Sequence, residues 1–306
     1  MHLYDWTGCR GIFRGNIVVN EFLAWSEQMS EQRVTLGFSP CPNDTFIFYP
    51  LLNNLVDTGN FRFIERLEDV ETLNMLAAGA VLDMTKLSYH AFAHVRNEYA
   101  LLRSGSALGR GCGPLLVAAG DMDISTLHKK TIAIPGRHTT AFLLLRLFNP
   151  DIEKFIILPF NEIMDSVING DVDAGVIIHE SRFTYQGYGL KKLIDLGEWW
   201  EGETGLPIPL GGIAVRRSLG AGTIALLEKA LRDGVGYSVA NPDAAAHYIR
   251  EHAQEMSEDI CRAHINLYVN DFSSDLGDEG VKAIELLIRM AEQRGIVPES
   301  EKKLFL

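Results

Sequence analysis

Cysteine is scarce and scattered: the 306 residues hold four, Cys9, Cys41, Cys112 and Cys261, with no two-residue spacing among them. That distribution argues against a structural zinc site and supplies no disulfide framework, so reduced thiols in a cytoplasmic protein are expected. Long apolar runs are missing too. The longest, Phe142 to Leu145 and Gly175 to Ile178 with their neighbours, fall far short of the ~20 residues a membrane helix requires. The run Trp6-Thr7-Gly8-Cys9 has some likeness to a lipoprotein cleavage site, but no apolar stretch precedes it, so export is not expected. Positive charge is also in short supply. Lys plus Arg total 28 against 40 for Asp plus Glu, a net charge of -12. Nucleic acid and membrane surfaces are therefore not expected partners, and any anionic ligand must be held by local charge.

Cofactor signatures are equally lacking. No Walker-type loop, dinucleotide fingerprint or nucleophile elbow occurs, and the glycines of Gly109 to Gly113 join two predicted strands where a fingerprint would open a helix. His90 and His94 have i, i+4 spacing, but Ala91-Phe92-Ala93 between them lacks the glutamate of a zinc hydrolase. Neither a metal nor a cofactor is expected.

What is present is the composition of a folded protein, 47% hydrophobic and 22% charged. At about 150 residues per domain the length suggests two domains, or one interrupted by another. Residues 1–32 show no clear period, and Met29 lies just before the first convincing strand. The segment reads as a leader outside the fold with Met29 as the start, or as a docking helix from Asn20 to Ser30.

From Val34 onward short apolar runs alternate with helical segments, which argues for βαβ units in a mostly parallel sheet. Strands are predicted at Val34 to Ser39, Phe61 to Leu67, Asp83 to Leu87, Leu101 to Ser104, Leu115 to Ala118, Thr131 to Ile134, Lys154 to Leu158, Ala174 to Ile178, Lys192 to Asp195 and Gly212 to Arg216. Beyond Gly222 the pattern is helical, broken at Asn241-Pro242, Ser257 and Ser274-Asp275.

The body of the chain repeats itself. VTLGFSPCPNDTFIF (Val34 to Phe48) mirrors KTIAIPGRHTTAFLL (Lys130 to Leu144), and LAAGAVLDMTKLS (Leu76 to Ser88) mirrors VINGDVDAGVIIHES (Val167 to Ser181). The two offsets, 96 and 91 residues, are close enough to imply two similar lobes. Gly- and Pro-rich stretches at Gly109 to Pro114 and Leu206 to Gly212 bracket the second copy and read as two interlobe crossovers. The expectation is an α/β protein of two lobes, 33–113 with 212–306 forming the first and 114–211 inserted as the second.

Ligands of open α/β sheets bind beyond the carboxyl ends of the strands. Ser39 to Thr45, Thr85 to Ser88, Gly136 to Thr140 and His179 to Arg182 occupy such positions, two from each lobe, and should face one cleft. For Asn43 and Asp44 helix capping and ligand contact are equal readings, whereas the doublet Thr139-Thr140 exceeds what one cap needs. Lys86 follows a buried strand and is a candidate for holding an anion or a carbonyl; a snorkelling surface lysine is the other reading. Arg137 and Arg182 suit a carboxylate or a structural pair with Glu180. His179 ends an apolar run beside Glu180, a position that can place an imidazole at a cleft floor as a general base, with His138 as its rival and a satisfied structural histidine as the other reading. Trp199-Trp200 reads as packing within the second lobe, with lining of the cleft rim as the alternative.

The inserted two-lobe plan resembles the type II periplasmic binding proteins. Six strings narrow the likeness: GFSPCPNDTFIFY (Gly37 to Tyr49), EDVETLN (Glu68 to Asn74), TKLSYHAF (Thr85 to Phe92), RSGSALGRGCGPL (Arg103 to Leu115), PGRHTTAFLL (Pro135 to Leu144) and IIHESRFTY (Ile177 to Tyr185). Together they resemble the 1,4-dihydroxy-6-naphthoate synthases, menaquinone enzymes of the futalosine route, over Val34 to the C-terminus. The resemblance implies a lyase that takes cyclic dehypoxanthine futalosine, needs no cofactor, and uses the histidine of the HESR string, His179, as base. It implies ligand contacts at Lys86, Leu87, Ser88, Thr139 and Thr140, beside the cleft candidates Ser39 and Asn43. Chorismate dehydratase of the same pathway and a non-catalytic solute-binding protein are the competing readings, and a homodimer is compatible with the sequence.

Overall fold

A computed structural model describes residues 31–253 and 257–306. The reading of residues 1–30 as leader or docking helix lies outside the described residues. The first strand opens at Gln32, which pairs with Phe61.

Two sheets carry the fold. The first contains β1 (Gln32–Phe38), β2 (Phe61–Leu67), β3 (Met84–Ser88), β4 (Tyr99–Leu101), β5 (Ala107–Gly109) and β11 (Ile208–Arg216), in the order β2-β1-β3-β11-β4 with β5 also on β11. The second contains β6 (Leu115–Ala118), β7 (Thr131–Ile134), β8 (Lys154–Ile157), β9 (Ala174–Ile177) and β10 (Lys191–Asp195), in the order β10-β6-β9-β7-β8. The second set lies wholly between β5 and β11 in sequence, so the second lobe is inserted in the first. The repeat is visible in the topology: β2-β1-β3 and β8-β7-β9 are each parallel triplets in the same order, and the repeated segments supply β1 and β7, β3 and β9.

The sheets are mixed, where a mostly parallel arrangement was expected. β11 runs antiparallel to β3, β4 and β5, and β6 runs antiparallel to β9 and β10. The cause lies in the crossovers. Glycine and proline at Leu206 to Gly212 mark the second crossover, and Ile208–Gly211 there is already strand, ahead of the expected start at Gly212, hydrogen-bonded to β5 with a register shift between Pro209 and Gly211. Two short hinge segments satisfy one another's backbone groups, and the shift absorbs the proline that cannot donate. Strand β4 ends at Leu101, three residues earlier than expected, because Arg103 is drawn to Asp275 and its backbone N–H to Glu228.

The helices are α1 (Pro42–Leu52), α2 (Val70–Ala78), α3 (Tyr89–Val95), α4 (Thr140–Phe148), α5 (Ile163–Asn169), α6 (Leu196–Thr204), α7 (Ala221–Ala240), α8 (Ala246–His252), α9 (Glu258–Tyr268) and α10 (Gly277–Gln293), with short helical turns between some of them. Pro42 opens α1, where its missing N–H costs nothing. Ser257 caps α9 and Asn241 ends α7, as the sequence pattern requires. One core lies within each lobe, and a third spans both: Phe92 of α3, Phe142 of α4 and Leu287 of α10 belong to a single buried cluster. Trp200 is fully buried in it and Trp199 meets Phe148, so the tryptophan pair is packing.

The first crossover is held by close backbone approach. A Cβ on Gly113 would lie 2.3 Å from the backbone nitrogen of Gly197, which opens α6, and no side-chain adjustment relieves that clash. Gly113→Ala is expected to cost about 3 kcal/mol or more. Gly111→Ala, with φ of 66° but open space around it, should cost about 1–2 kcal/mol. Urea midpoints of the two variants check the order.

Candidate functional site

The carboxyl ends of β1, β3 and β9 and the amino end of α4 converge on a cavity of about 100 Å³. Its wall takes Ser39, Asn43, Asp44, Lys86, Leu87 and Ser88 from the first lobe and Thr139, Thr140 and His179 from the second. A second cavity of about 240 Å³ lies outside it, bounded by Pro40, Glu68, Asp69 and Phe160 among others. Ser39, Val70 and His179 border both. Neither alone reaches the ~300 Å³ at which small-molecule sites begin, so a ligand must use both or part the lobes.

At the floor lies a buried ion pair. Lys86 Nζ is 2.6 Å from Asp44 Oδ1, with both side chains almost wholly buried. Asp44 also accepts from Ser39 Oγ at 2.7 Å and from Asn43 Nδ2 at 2.9 Å, and sits in the first turn of α1, where the helix dipole favours a carboxylate. The charge of Lys86 is thus already matched within the protein. The N-cap of α1 is Cys41, without a side-chain cap, which leaves the Asn43 amide for a different task.

Thr139 caps α4, accepting from Phe142 N at 3.2 Å, and donates to Gly136 O. Thr140 donates to Leu210 O at 2.5 Å, across to the second crossover. Both hydroxyls are spent on the fold, so the doublet offers the cavity backbone N–H groups of a helix start more than free hydroxyls. Ser88 N donates to Asn74 Oδ1 at 2.9 Å, and Ser88 Oγ receives Asn74 Nδ2 at 3.2 Å. Leu87 presents backbone: a Cβ on Gly211 would meet its carbonyl oxygen at 2.8 Å, so only glycine lets β11 pass there.

His179 follows β9 with φ of 57°, a left-handed conformation uncommon for a residue with a side chain. Its Nδ1 is 3.4 Å from Cys41 Sγ, and its ring meets Phe160 edge-on at 4.9 Å. Removal from water pushes its pKa below 6.5, outweighing the opposite pull of Glu180 and Asp44. The Cys41 thiol is pushed up by burial and next by Glu180, and stays protonated. Among the described residues Cys41, His179 and Glu180 are the one group of three or more histidine, cysteine or carboxylate side chains whose potential metal-ligand atoms fall within 4.8 Å of each other. A thiol held neutral by its surroundings disfavours a cation there.

The rival His138 stands apart, half-buried, with Nδ1 3.1 Å from Glu71 Oε1 and its backbone N–H on the same carboxylate. This contact joins the second lobe to α2 of the first. Arg182 does not pair with Glu180: it binds Asp195 at 2.6 Å and Gly113 O, bracing the crossover. Arg137 is exposed and outside the cavity wall.

Two polar aromatic residues of the cavity are among those that escaped the sequence reading. His264 and Tyr268, one turn apart on α9, close the wall from the C-terminal part of the chain. Only their i, i+4 spacing on an amphipathic helix hinted at a shared face.

The sequence model of the menaquinone biosynthesis family matches residues 34–293. The chain belongs to that family. Two curated members, from Thermus thermophilus and Streptomyces coelicolor, are both named 1,4-dihydroxy-6-naphtoate synthase. The first is 50% identical over 90% of this chain and 100% of its own length, the second 45% identical over 88% and 96%. This menaquinone-biosynthesis enzyme also shares its fold with an Archaeoglobus fulgidus protein of solved structure, at 35% identity, TM-score 0.82, and coverage of 87% of this chain and 98% of that one. The alkanesulfonate-binding protein of Xanthomonas axonopodis pv. citri, at 12% identity, TM-score 0.66, and coverage of 88% and 96%, has the same periplasmic-binding-protein architecture. That likeness concerns fold alone. No helix among the described residues is long and apolar enough to cross a membrane.

Proposed function

We propose that this chain is a 1,4-dihydroxy-6-naphthoate synthase that converts cyclic dehypoxanthine futalosine to 1,4-dihydroxy-6-naphthoate, with His179 as general base in the interlobe cavity. The observation that carries the reading is His179 itself. A residue held in left-handed backbone, on the wall shared by two cavities, with a pKa kept below neutrality, suits proton abstraction better than packing. The names and full-length similarity of the curated relatives support the substrate class.

In the base-competent tautomer Nδ1–H donates to the Cys41 sulfur and Nε2 holds the lone pair. His179 takes a proton from a substrate hydroxyl; the carbonyl that forms as the sugar-derived ring opens allows a retro-aldol cleavage of a carbon–carbon bond. The electron pair of that bond passes to the sugar fragment as an enolate, which recovers the proton from His179, while the oxygen-bearing carbon left on the bicyclic part becomes a ketone; enolisation of the resulting dione to the aromatic diol drives the step. The Thr140 and Ala141 N–H groups at the start of α4 stabilise developing oxyanion charge, while Lys86 sets the local potential through its pair with Asp44. The lobes exclude water from the intermediate.

Purified protein incubated with cyclic dehypoxanthine futalosine should release 1,4-dihydroxy-6-naphthoate, and should leave chorismate unchanged. Turnover of chorismate alone, or ligand binding without turnover, refutes the assignment. The pH profile gives a second check. A base works only when deprotonated, and burial lowers the pKa of His179 from the ordinary histidine value, so kcat/KM should rise with pH through an acid limb below 6.5 and approach its plateau toward neutrality. An acid limb centred above pH 7 contradicts His179 as the base.

A further inference from the structure

His264 is 1% exposed, it lines the inner cavity, and its Nδ1 is buried with no hydrogen-bond partner among the described residues. Its other nitrogen, Nε2, lies 2.9 Å from Asn43 Oδ1. The direction of that bond is fixed from the far end. Asp44 is an acceptor, so the Asn43 group beside it at 2.9 Å must be the NH2, which leaves the amide oxygen facing His264. An amide oxygen only accepts, so Nε2 carries the hydrogen and Nδ1 is left with its lone pair. Burial, and next the neighbouring His179, hold the ring well below the ordinary histidine range, so it stays neutral. Tyr268 at 4.6 Å and the parallel His179 ring at 6.3 Å fix its plane. The chain Lys86–Asp44–Asn43–His264 thus ends in a neutral acceptor with nothing to accept among the described residues, a loss the fold tolerates where a ligand repays it.

We infer that His264 is a specificity-determining residue whose Nδ1 accepts a hydrogen bond from a hydroxyl of the substrate, opposite His179. The inference rests on the function proposed for this cavity. A ligand lacking that hydroxyl leaves the acceptor unsatisfied in a dry site and is rejected, as sites built around a substrate hydroxyl reject deoxy analogues.

The test uses full-length His264→Gln, whose amide NH2 keeps the donor to Asn43 but has nothing at Nδ1, and His264→Asn, whose amide oxygen replaces the Nδ1 acceptor. Each is assayed with cyclic dehypoxanthine futalosine and with its monodeoxy analogues, and each is melted to check folding. His264→Gln should raise KM about tenfold or more for the parent substrate and leave KM unchanged for one deoxy analogue, and His264→Asn should recover part of the loss. Equal loss on the parent and every analogue, or no loss on the parent, overturns the role of His264 while wild-type turnover keeps the function. Wild-type protein that neither binds nor converts the parent overturns both.

Discussion

His179→Ala is expected to lower kcat by about 10²–10⁴-fold while folding and ligand affinity are retained. On the proposed mechanism the ring supplies the base at a site bordered by both cavities, and alanine keeps the Cβ, so the backbone at a φ of 57° meets no new crowding. Single-turnover measurement with saturating substrate separates the chemical step from binding. Glu180→Gln should have a smaller effect, because Glu180 only biases the imidazole from beside it. Near-normal turnover in His179→Ala removes the general-base mechanism and leaves the family assignment standing.

Asp44→Leu is expected to destabilise the protein by about 3–5 kcal/mol, because it leaves the Lys86 ammonium buried without its partner 2.6 Å away. The substitution also removes the acceptor for Ser39 and for the Asn43 amide, and with it the group that orients His264. The double variant Asp44→Leu/Lys86→Met should regain most of that stability, since an apolar pair of similar volume replaces a buried ion pair at little cost. It should remain a poor catalyst, because the hydrogen-bonded floor is gone. Chemical denaturation of the single and double variants, with kcat/KM for each, checks the two halves. A stable, fully active double variant refutes a functional role for the floor.

Most of the cleft was legible in the sequence because strand ends and helix starts are local features. Val34 to Phe48 and Lys130 to Leu144 repeat one strand–loop–helix unit, and a duplicated unit puts its loops at equivalent sheet positions. Ser39, Asn43, Lys86, Leu87, Ser88, Thr139, Thr140 and His179 accordingly all meet one cavity. Their partners were not legible. Nothing in the spacing of Lys86 and Asp44, 42 residues apart, assigns one to the other, and Thr140 finds its acceptor at Leu210 in the second crossover. Strand β5 was hidden for a similar reason. Three residues of Ala-Leu-Gly carry no period, and they become strand only when Ile208–Gly211 returns beside them.

The sequence by itself determined two similar α/β lobes, the insertion of one in the other and the set of loops at the cleft, because side-chain period, turn residues and repeat offset act over a few neighbouring residues. Tertiary structure alone decided which polar groups are spent on the fold and which line the cavity. His264 lies 221 residues from Asn43, and only the folded chain brings that imidazole against the amide that fixes its tautomer. Hydrogen bonding is short-ranged in space and indifferent to distance along the chain, so the chemistry of this site is written in contacts that no local pattern carries.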